Sequence, residues 1–212
     1  MALFKLYTAP LLGIWKIEES FEELFAQLAN KEEYLPFLNT VKAERRKIEW
    51  VTTRVLLKQM LGKEVRIAYH PNGMPYLPDL PLHISISHTN GYVAVLLQDA
   101  EAAGIDIEYR TERVKKIRSR FMTIEEETNL DKQHETEHLL IHWCAKECLF
   151  KMINQTEVDF LEHLHIAPFP FQEMGEIEAY ETRTPKRERY NLFYRIYEDF
   201  VLVHSSCKED RR

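Results

Sequence analysis

Helical hydrophobic patterns dominate the first sixty residues of the chain. The segment SFEELFAQLANKEEYLPFL has helical periodicity, and Ser20 followed by Glu23 three residues later predicts a capping box at its start. A second helix is predicted over KIEWVTTRVLLKQML. Gly62 marks its end, because glycine readily takes the left-handed conformation found at helix C-termini.

Strand patterns follow the turn-rich segment HPNGMPYLPDLP. HISIS alternates as a strand, YVAVLL continues as a second strand, and the Asn90-Gly91 pair between them predicts a β-hairpin. The next strand, GIDIE, places Asp106 and Glu108 on one face, because residues i and i+2 of a strand point the same way. We therefore expect two helices followed by an antiparallel meander that ends in GIDIE.

The second half loosely repeats this order of elements. Basic and helical segments run from Val114 to about Ile153, and NLFYRIY and FVLVHSS predict a later hairpin. The most informative helix is LLIHWCAKECLFKMI, which has an apolar stripe at helical spacing. The stripe consists of Ile141, Ala145, Cys148, Leu149 and Met152. Element order thus indicates two similar lobes.

Composition describes an ordinary globular chain, since 45% of its 212 residues are hydrophobic and 29% are charged. The net charge of −6 argues against a general nucleic-acid binder, which would be strongly basic. Pro10 and Gly13 interrupt the apolar N-terminus, so we expect neither a signal peptide nor a membrane protein. Cys144 and Cys148 share the apolar side of one helix, which favours free core thiols in a cytoplasmic protein.

The opposite side of that helix carries Trp143, Lys146, Glu147 and Lys151. An ordinary solvated face with a Glu147–Lys151 ion pair would explain the charges. Trp143 does not fit this interpretation, because a large aromatic side chain seldom sits on a solvated face without a packing partner.

A metal site is the alternative interpretation. Glu147 would add a third carboxylate to Asp106 and Glu108, and oxygen-only ligands suit Mg²⁺. Lys146 and Lys151 would then meet a phosphate, which completes the parts of a phosphoryl-transfer site. For GIDIE alone, an edge strand with outward-pointing acids is the simpler explanation.

Three segments, SISHTNGYVAVLL, GIDIE and WCAKECLFK, resemble in order and spacing the signature of the phosphopantetheinyl transferase superfamily. The chain length and the segment NGMPYLPDLPLH are similar to the larger, pseudo-dimeric surfactin-type subgroup. This resemblance implies an α+β fold of two similar lobes. Each lobe would be an antiparallel sheet packed with helices, with the active site in the cleft between them. We expect an N-terminal lobe over 1–104 with coenzyme A contacts, and a C-terminal lobe over 105–212 with the metal site and a carrier-docking surface.

The resemblance also implies a reaction and roles for individual residues. Phosphopantetheine would move from coenzyme A to a serine of an acyl- or peptidyl-carrier protein, with release of adenosine 3′,5′-bisphosphate. Asp106, Glu108 and Glu147 would bind Mg²⁺. Glu147 would also be the base for the serine, directly or through water. Lys151 would hold a pyrophosphate oxygen, so that Glu147, Lys151 and Asp106 form the implied catalytic set.

Further residues are implied to contact coenzyme A. Ser87 and His88 match positions that contact the nucleotide phosphates, and Lys146 would assist Lys151. Met74 stands where the family usually has a lysine, and Met74 cannot supply a charge. The basic residues Arg45, Arg46 and Arg54 could hold the 3′-phosphate instead, or they could belong to an ordinary charged helix.

The carrier protein is expected to dock on RTERVKKIRSR, a basic segment in an acidic chain, with Phe121 and Met122 packing at the contact. We expect a monomer that binds neither nucleic acid nor membrane. Two alternatives stay open. One is a protein that binds coenzyme A or carrier without catalysis, and the other is a zinc metallopeptidase using the H-E-x-x-H residues His134, Glu135 and His138.

Overall fold

The computed structural model of the protein describes residues 3–99 and 102–205. The chain forms two compact units, Met1–Asp99 and Ala100–Arg212. Each contains an antiparallel sheet packed with helices, which confirms the predicted α+β class. In these two ranges, the helices are all too short or too polar to cross a membrane.

The first unit has a four-stranded sheet in the order β1-β2-β6-β5 and a separate two-stranded ribbon of β3 and β4. Its elements are β1 Leu3–Thr8, β2 Leu11–Lys16, α1 Phe21–Ala26, α2 Lys31–Thr40, α3 Glu44–Leu61, β3 Ala68–Tyr69, β4 Pro75–Tyr76, β5 His83–Thr89 and β6 Tyr92–Gln98. The helix α3 packs on β2 and β6. The strands β1 and β2 had no counterpart among the sequence predictions.

The first predicted helical segment is two helices, α1 and α2. The capping box at Ser20 is confirmed, because the Ser20 Oγ accepts from the Glu23 N–H and the Glu23 carboxylate accepts from the Ser20 N–H. The break between the helices is held by Glu64, whose carboxylate accepts from the backbone N–H groups of Ala29 and Asn30. A remote acid therefore satisfies the donors that a continuous helix would have used.

The ends of the other predicted elements are also confirmed. The helix α3 ends at Gly62, which has a left-handed φ of 69°. The strands β5 and β6 form the predicted antiparallel hairpin, with Ser87 opposite Ala94 and Gly91 at a φ of 75° in the turn.

The second unit has a five-stranded antiparallel sheet in the order β7-β11-β10-β9-β8. Its elements are β7 Ile105–Tyr109, α4 Arg113–Ile117, α5 Ile124–Thr128, α6 Glu135–Ile153, β8 Leu164–Ile166, β9 Met174–Glu181, β10 Arg189–Ile196 and β11 Phe200–Ser205, with a 3₁₀ turn over Arg118–Arg120. The predicted hairpin of β10 and β11 is confirmed.

The predicted meander was wrong in its last step. GIDIE does not continue the sheet of β5 and β6. Its strand β7 pairs with β11, placing Asp106 opposite Val203. The reason is tertiary, since β7 lies against α6 and β11 of the second unit, and its Asp106 pairs with Lys151 of α6.

The apolar stripe of α6 faces β7 and β11 and is buried as predicted. Cys144 and Cys148 are free and buried, which confirms the prediction of core thiols. Phe121 and Met122 are buried in the same core. They therefore cannot pack at a carrier contact, contrary to expectation, because the chain turns inward directly after the 3₁₀ turn.

Candidate active site

A glycine sets the distance between the two elements that carry the candidate site. Gly104 lies directly before β7, and a Cβ there would lie 2.6 Å from the backbone oxygen of Cys148 in α6. A side chain at this position would force the helix away from the strand. The close approach brings Lys151 of α6 to Asp106 of β7, because both follow the contact in their own elements.

Lys151 and Asp106 form the central ion pair of the site. The Lys151 Nζ lies 2.8 Å from the Asp106 Oδ1 and donates to the backbone oxygen of Ile105 at 2.7 Å. Burial acts to lower the pKa of Lys151, but the charges of Asp106 and Glu147 outweigh it and raise this pKa above its ordinary value. The ammonium is therefore charged at neutral pH.

Glu147 is half-buried on α6 near these charges. Burial, followed by the negative charge of Asp106 and a smaller effect of Glu108, raises the pKa of Glu147 to about 7, while Lys151 opposes the shift. Like charges in a poorly solvated place disfavour a third ionised carboxylate. A cation among these residues would relieve that repulsion.

The donor set fits Mg²⁺ in its chemistry, because Asp106, Glu108 and Glu147 offer only carboxylate oxygens and repel one another. As the side chains stand, no group of three or more His, Cys, Asp or Glu residues within 3–99 and 102–205 is arranged to hold a metal ion. These three carboxylates would hold the ion, but they do not form a preassembled cage.

Glu108 is held by an aromatic residue of α6. The Trp143 Nε1 donates to the Glu108 Oε1 at 3.0 Å. The Trp143 ring packs against both Phe121 and Phe160, with ring centroids 5.2 and 5.6 Å away. The helical pattern shows that Trp143 does not fit a solvated face, but it contains no signal of the contact with Glu108.

Lys146 lies away from the ion pair and is fully buried. Its ammonium binds the Glu126 carboxylate at 2.9 Å and two backbone oxygens, those of Phe121 and Phe160. The structure therefore brings Lys151, but not Lys146, to the Asp106 carboxylate.

The H-E-x-x-H histidines do not converge on one point. The His134 ring is exposed and contacts Asp131, whereas His138 is buried and its Nδ1 accepts from the Asp131 N–H. Glu135 pairs with Arg118 and Lys115. These contacts are structural, and nothing in the described ranges supports the zinc-peptidase alternative.

In the first unit, four of the predicted residues lie near one another on α3 and β5. The buried Glu49 accepts from the Arg45 Nε at 2.7 Å and lies 3.6 Å from the His88 Nδ1. Arg46 contacts the His88 Nε2. If Arg46 donates there, the ring proton is on Nδ1 and faces Glu49. Ser87, the next residue along β5, is buried.

Arg54 has a different environment from Arg45 and Arg46. Its guanidinium carbon lies 3.1 Å from the centroid of the Trp50 ring, and it donates to the Trp50 backbone oxygen. Burial lowers the pKa of Arg54 to about 10. Met74 lies in the turn between β3 and β4, where its N–H is held by the Asn72 side chain.

Much of the predicted docking segment is engaged in ion pairs within the protein. Arg118 binds Glu127 and Glu135, and Lys115 binds Glu112 and Glu135. Arg110 is exposed but pairs with Glu137, and Arg113, Lys116 and Arg120 are the further exposed cations of the segment. Close to them in sequence, Ile124 at the start of α5 is 88% exposed.

Comparison with known proteins shows which family the region around this site resembles. Residues 102–203 match the family model of the 4′-phosphopantetheinyl transferase superfamily. This region of the chain is therefore similar to that superfamily, in agreement with the resemblance that GIDIE and WCAKECLFK carry. The matched region contains every candidate residue of the second unit.

Two relatives show the extent of the similarity. The chain is 29% identical over 112 residues to 4′-phosphopantetheinyl transferase AcpT of Escherichia coli (strain K12), covering 50% of this chain and 57% of that protein. It is 32% identical over 97 residues to 4′-phosphopantetheinyl transferase Sfp of Bacillus subtilis (strain 168), covering 44% of this chain and 43% of that protein. The similarity thus spans about half the length of the relatives.

Proposed function

We propose that the protein transfers the phosphopantetheine arm of coenzyme A to a serine of an acyl- or peptidyl-carrier protein, in a Mg²⁺-dependent reaction. The observation that most strongly supports this proposal is the contact between Lys151 of α6 and Asp106 of β7, inside the region that matches the superfamily. It joins an ammonium and a cluster of carboxylates at one place, as transfer of a phosphoryl-type group requires. The similarity to Sfp supports assignment to the surfactin-type subgroup.

The residues of the second unit divide the chemistry among themselves. Asp106, Glu108 and Glu147 would hold Mg²⁺, whose charge would neutralise the pyrophosphate. Lys151 binds a pyrophosphate oxygen and stabilises the leaving bisphosphate. Glu147 accepts the serine proton, directly or through water, as the serine oxygen forms the new P–O bond. The P–O bond to adenosine 3′,5′-bisphosphate then breaks.

The nucleotide half of coenzyme A is assigned to the first unit. Arg45 and Arg46 bind phosphate oxygens together with Ser87 and His88, and the buried Glu49 orients these cations from behind. Arg54 contributes through the stability of α3, since its guanidinium stacks on Trp50.

Carrier docking is assigned to the exposed cations Arg113, Lys116 and Arg120 together with Ile124. Acyl-carrier and peptidyl-carrier proteins are acidic around the accepting serine, and complementary charges raise association rates. An exposed isoleucine beside them offers an apolar contact that Phe121 and Met122 cannot provide.

The deciding experiment mixes apo-carrier protein, coenzyme A and Mg²⁺ with the enzyme and follows addition of one phosphopantetheine by mass spectrometry. We expect Asp106→Asn and Lys151→Met to lose on the order of 100-fold or more in turnover, because both remove charges needed in the transition state. Lys186→Met is the matched control, since Lys186 is an exposed lysine that also pairs with a carboxylate.

Full turnover by Asp106→Asn at saturating substrate would disprove the assigned site. Coenzyme A binding without transfer by the wild-type protein would favour the non-catalytic alternative.

A further inference from the structure

Every proton of the Lys146 ammonium has an acceptor. An ammonium offers three donors, and those of Lys146 go to the Glu126 Oε2 at 2.9 Å and to the backbone oxygens of Phe121 and Phe160, the latter at 3.1 Å. The side chain is fully buried. It would have to give up one of these buried contacts to bind a phosphate, leaving an acceptor unsatisfied.

The partner of Lys146 is also fully engaged. The Glu126 Oε1 accepts from the Ile166 N–H at 3.0 Å, and the Glu126 Oε2 accepts from the Thr123 N–H at 2.9 Å. Glu126 thereby caps α5 and ties it to β8. The Lys146–Glu126 pair thus joins α6, α5, β8 and the two segments that carry Phe121 and Phe160.

Those two phenylalanines lead from Lys146 to Glu108. Lys146 fixes their backbone oxygens, and both of their rings pack against Trp143. The Trp143 Nε1 in turn donates to Glu108. Displacing either ring would free the indole to rotate and remove the donor that orients this carboxylate.

We infer that Lys146 is a positioning residue that orients Glu108 through the ring contacts of Phe121 and Phe160 with Trp143, and that it is not a phosphate ligand. This inference rests on the proposed function for the role of Glu108, but the contacts with Trp143 can be tested independently. It separates two lysines of one helix, since Lys151 meets the substrate and Lys146 aligns a metal ligand.

The first test uses the protein labelled with 5-fluorotryptophan, in which Trp143→Phe identifies the ¹⁹F resonance of Trp143. We expect Lys146→Met to shift that resonance, whereas Lys151→Met, the matched lysine control on the same helix, leaves it in place. Phe160→Leu provides a second variant that keeps Lys146, and it should shift the resonance as well. An unmoved resonance in folded Lys146→Met or in Phe160→Leu would overturn the relay whether or not the protein proves to be a transferase.

The second test separates positioning from phosphate binding by kinetics. We expect Lys146→Met to lower kcat by about tenfold or more while the KM for coenzyme A changes by less than about threefold, as for loss of a transition-state interaction. The kcat of the double variant Lys146→Met/Trp143→Phe should lie no more than about threefold below that of the less active single variant, because both substitutions disrupt the same chain of contacts.

A large rise in the KM for coenzyme A with kcat preserved would instead make Lys146 a phosphate ligand. Additive losses in the double variant would show that Lys146 acts independently of Trp143. Full activity in Trp143→Phe would also overturn the inference, while leaving the proposed transfer reaction intact.

Discussion

The long helices of the two units, α3 and α6, each contain a buried cation, but the partners of the two cations differ. Each packs on an antiparallel sheet and ends at a left-handed residue, Gly62 in α3 and Asn154 in α6. Each also buries one cation, Arg54 or Lys146. Burying a charge is costly unless it is paired or hydrogen-bonded, so each helix needs partners for its cation.

Arg54 has partners both near and far in sequence, since it interacts with Tyr34 and Tyr69 as well as with Trp50. Its guanidinium stacks on Trp50 and donates to the Trp50 backbone oxygen, one turn earlier in the same helix. Lys146 instead draws its partners from three other segments, around residues 121, 126 and 160. The first arrangement pairs the cation with aromatic side chains and a backbone oxygen and has no acidic partner among the described residues, whereas the second pairs it with a buried carboxylate and two backbone oxygens and so fixes several elements around the candidate site.

The largest expected difference between the helices is in stability. Lys146→Met leaves Glu126 as a buried charge without its cation, and we expect a loss of about 3–5 kcal/mol in the free energy of unfolding. Arg54→Met removes a cation and its stacking without stranding an acid, so we expect about 1–2 kcal/mol. Urea unfolding of both variants checks the order, and equal losses would contradict the comparison.

Replacing the glycine that faces each helix by alanine should also destabilise the second unit more than the first. A Cβ at Gly104 would meet the backbone oxygen of Cys148 at 2.6 Å, whereas one at Gly13 would meet only the side-chain ends of Leu56 and Met60 closer than 3.2 Å. Flexible side chains can move and a helix backbone cannot. We expect Gly104→Ala to cost about 2–3 kcal/mol and Gly13→Ala about 1 kcal/mol. Thermal unfolding measures both, and a larger cost at Gly13 would refute the assigned contact.

His142 gives the second unit an acid-sensitive contribution to stability, which the raised pKa of Glu147 opposes. Burial, together with the charges of His138 and Lys146, lowers the pKa of His142 from 6.5 to about 3. Between these values His142 is protonated in the unfolded chain but neutral in the folded unit. Its contribution to the free energy of unfolding is therefore fully present above pH 6.5 and decreases as the pH drops. We expect His142 to contribute a loss of ~2 kcal/mol at pH 5.

The ¹⁹F resonances of the tryptophans can locate this acid sensitivity. Trp143 reports on the second unit, whereas Trp15 and Trp50 report on the first, in which the histidines at positions 70, 83 and 88 are exposed. His142→Phe should reduce the acid sensitivity of the Trp143 signal. Simultaneous loss of all three signals on acidification, unchanged in that variant, would argue against His142 as the source.

The smallest expected effect concerns the exposed cations of the second unit. Lys116→Glu with Arg120→Glu should weaken the apparent carrier affinity by less than about tenfold, mostly through slower association at low salt. The KM for coenzyme A should not change. Lys115→Glu is a poor substitute for this test, because Lys115 also pairs with Glu135. Carrier kinetics that do not depend on salt would contradict docking at this surface.

Local patterns predicted much of the fold, because their causes lie within a few residues. The capping box at Ser20, the end of α3 at Gly62 and the Asn90-Gly91 hairpin are of this kind. The break between α1 and α2 was missed because Glu64, which satisfies its backbone donors, lies more than thirty residues away.

The candidate site shows the same limit. The sequence predicted that four residues act at one site, namely Asp106, Glu108, Glu147 and Lys151. The structure brings Lys151 to Asp106. The burial of Lys146 was not readable, because the helical pattern places it on the polar side of α6. Backbone oxygens of Phe121 and Phe160 cover that side, and no periodicity in the helix indicates where distant loops will fold.

The pairing of β7 with β11 also governs when the site can form during synthesis. Ile105 pairs with His204, so the carboxylate strand leaves the ribosome long before its partner has been made. Closing so long a loop costs chain entropy before any pairing is gained, which makes such contacts late and slow. The helix with Glu147 and Lys151 can form earlier from local contacts. A nascent chain therefore acquires its basic and acidic residues early, but it gains the geometry of the site only when β11 emerges.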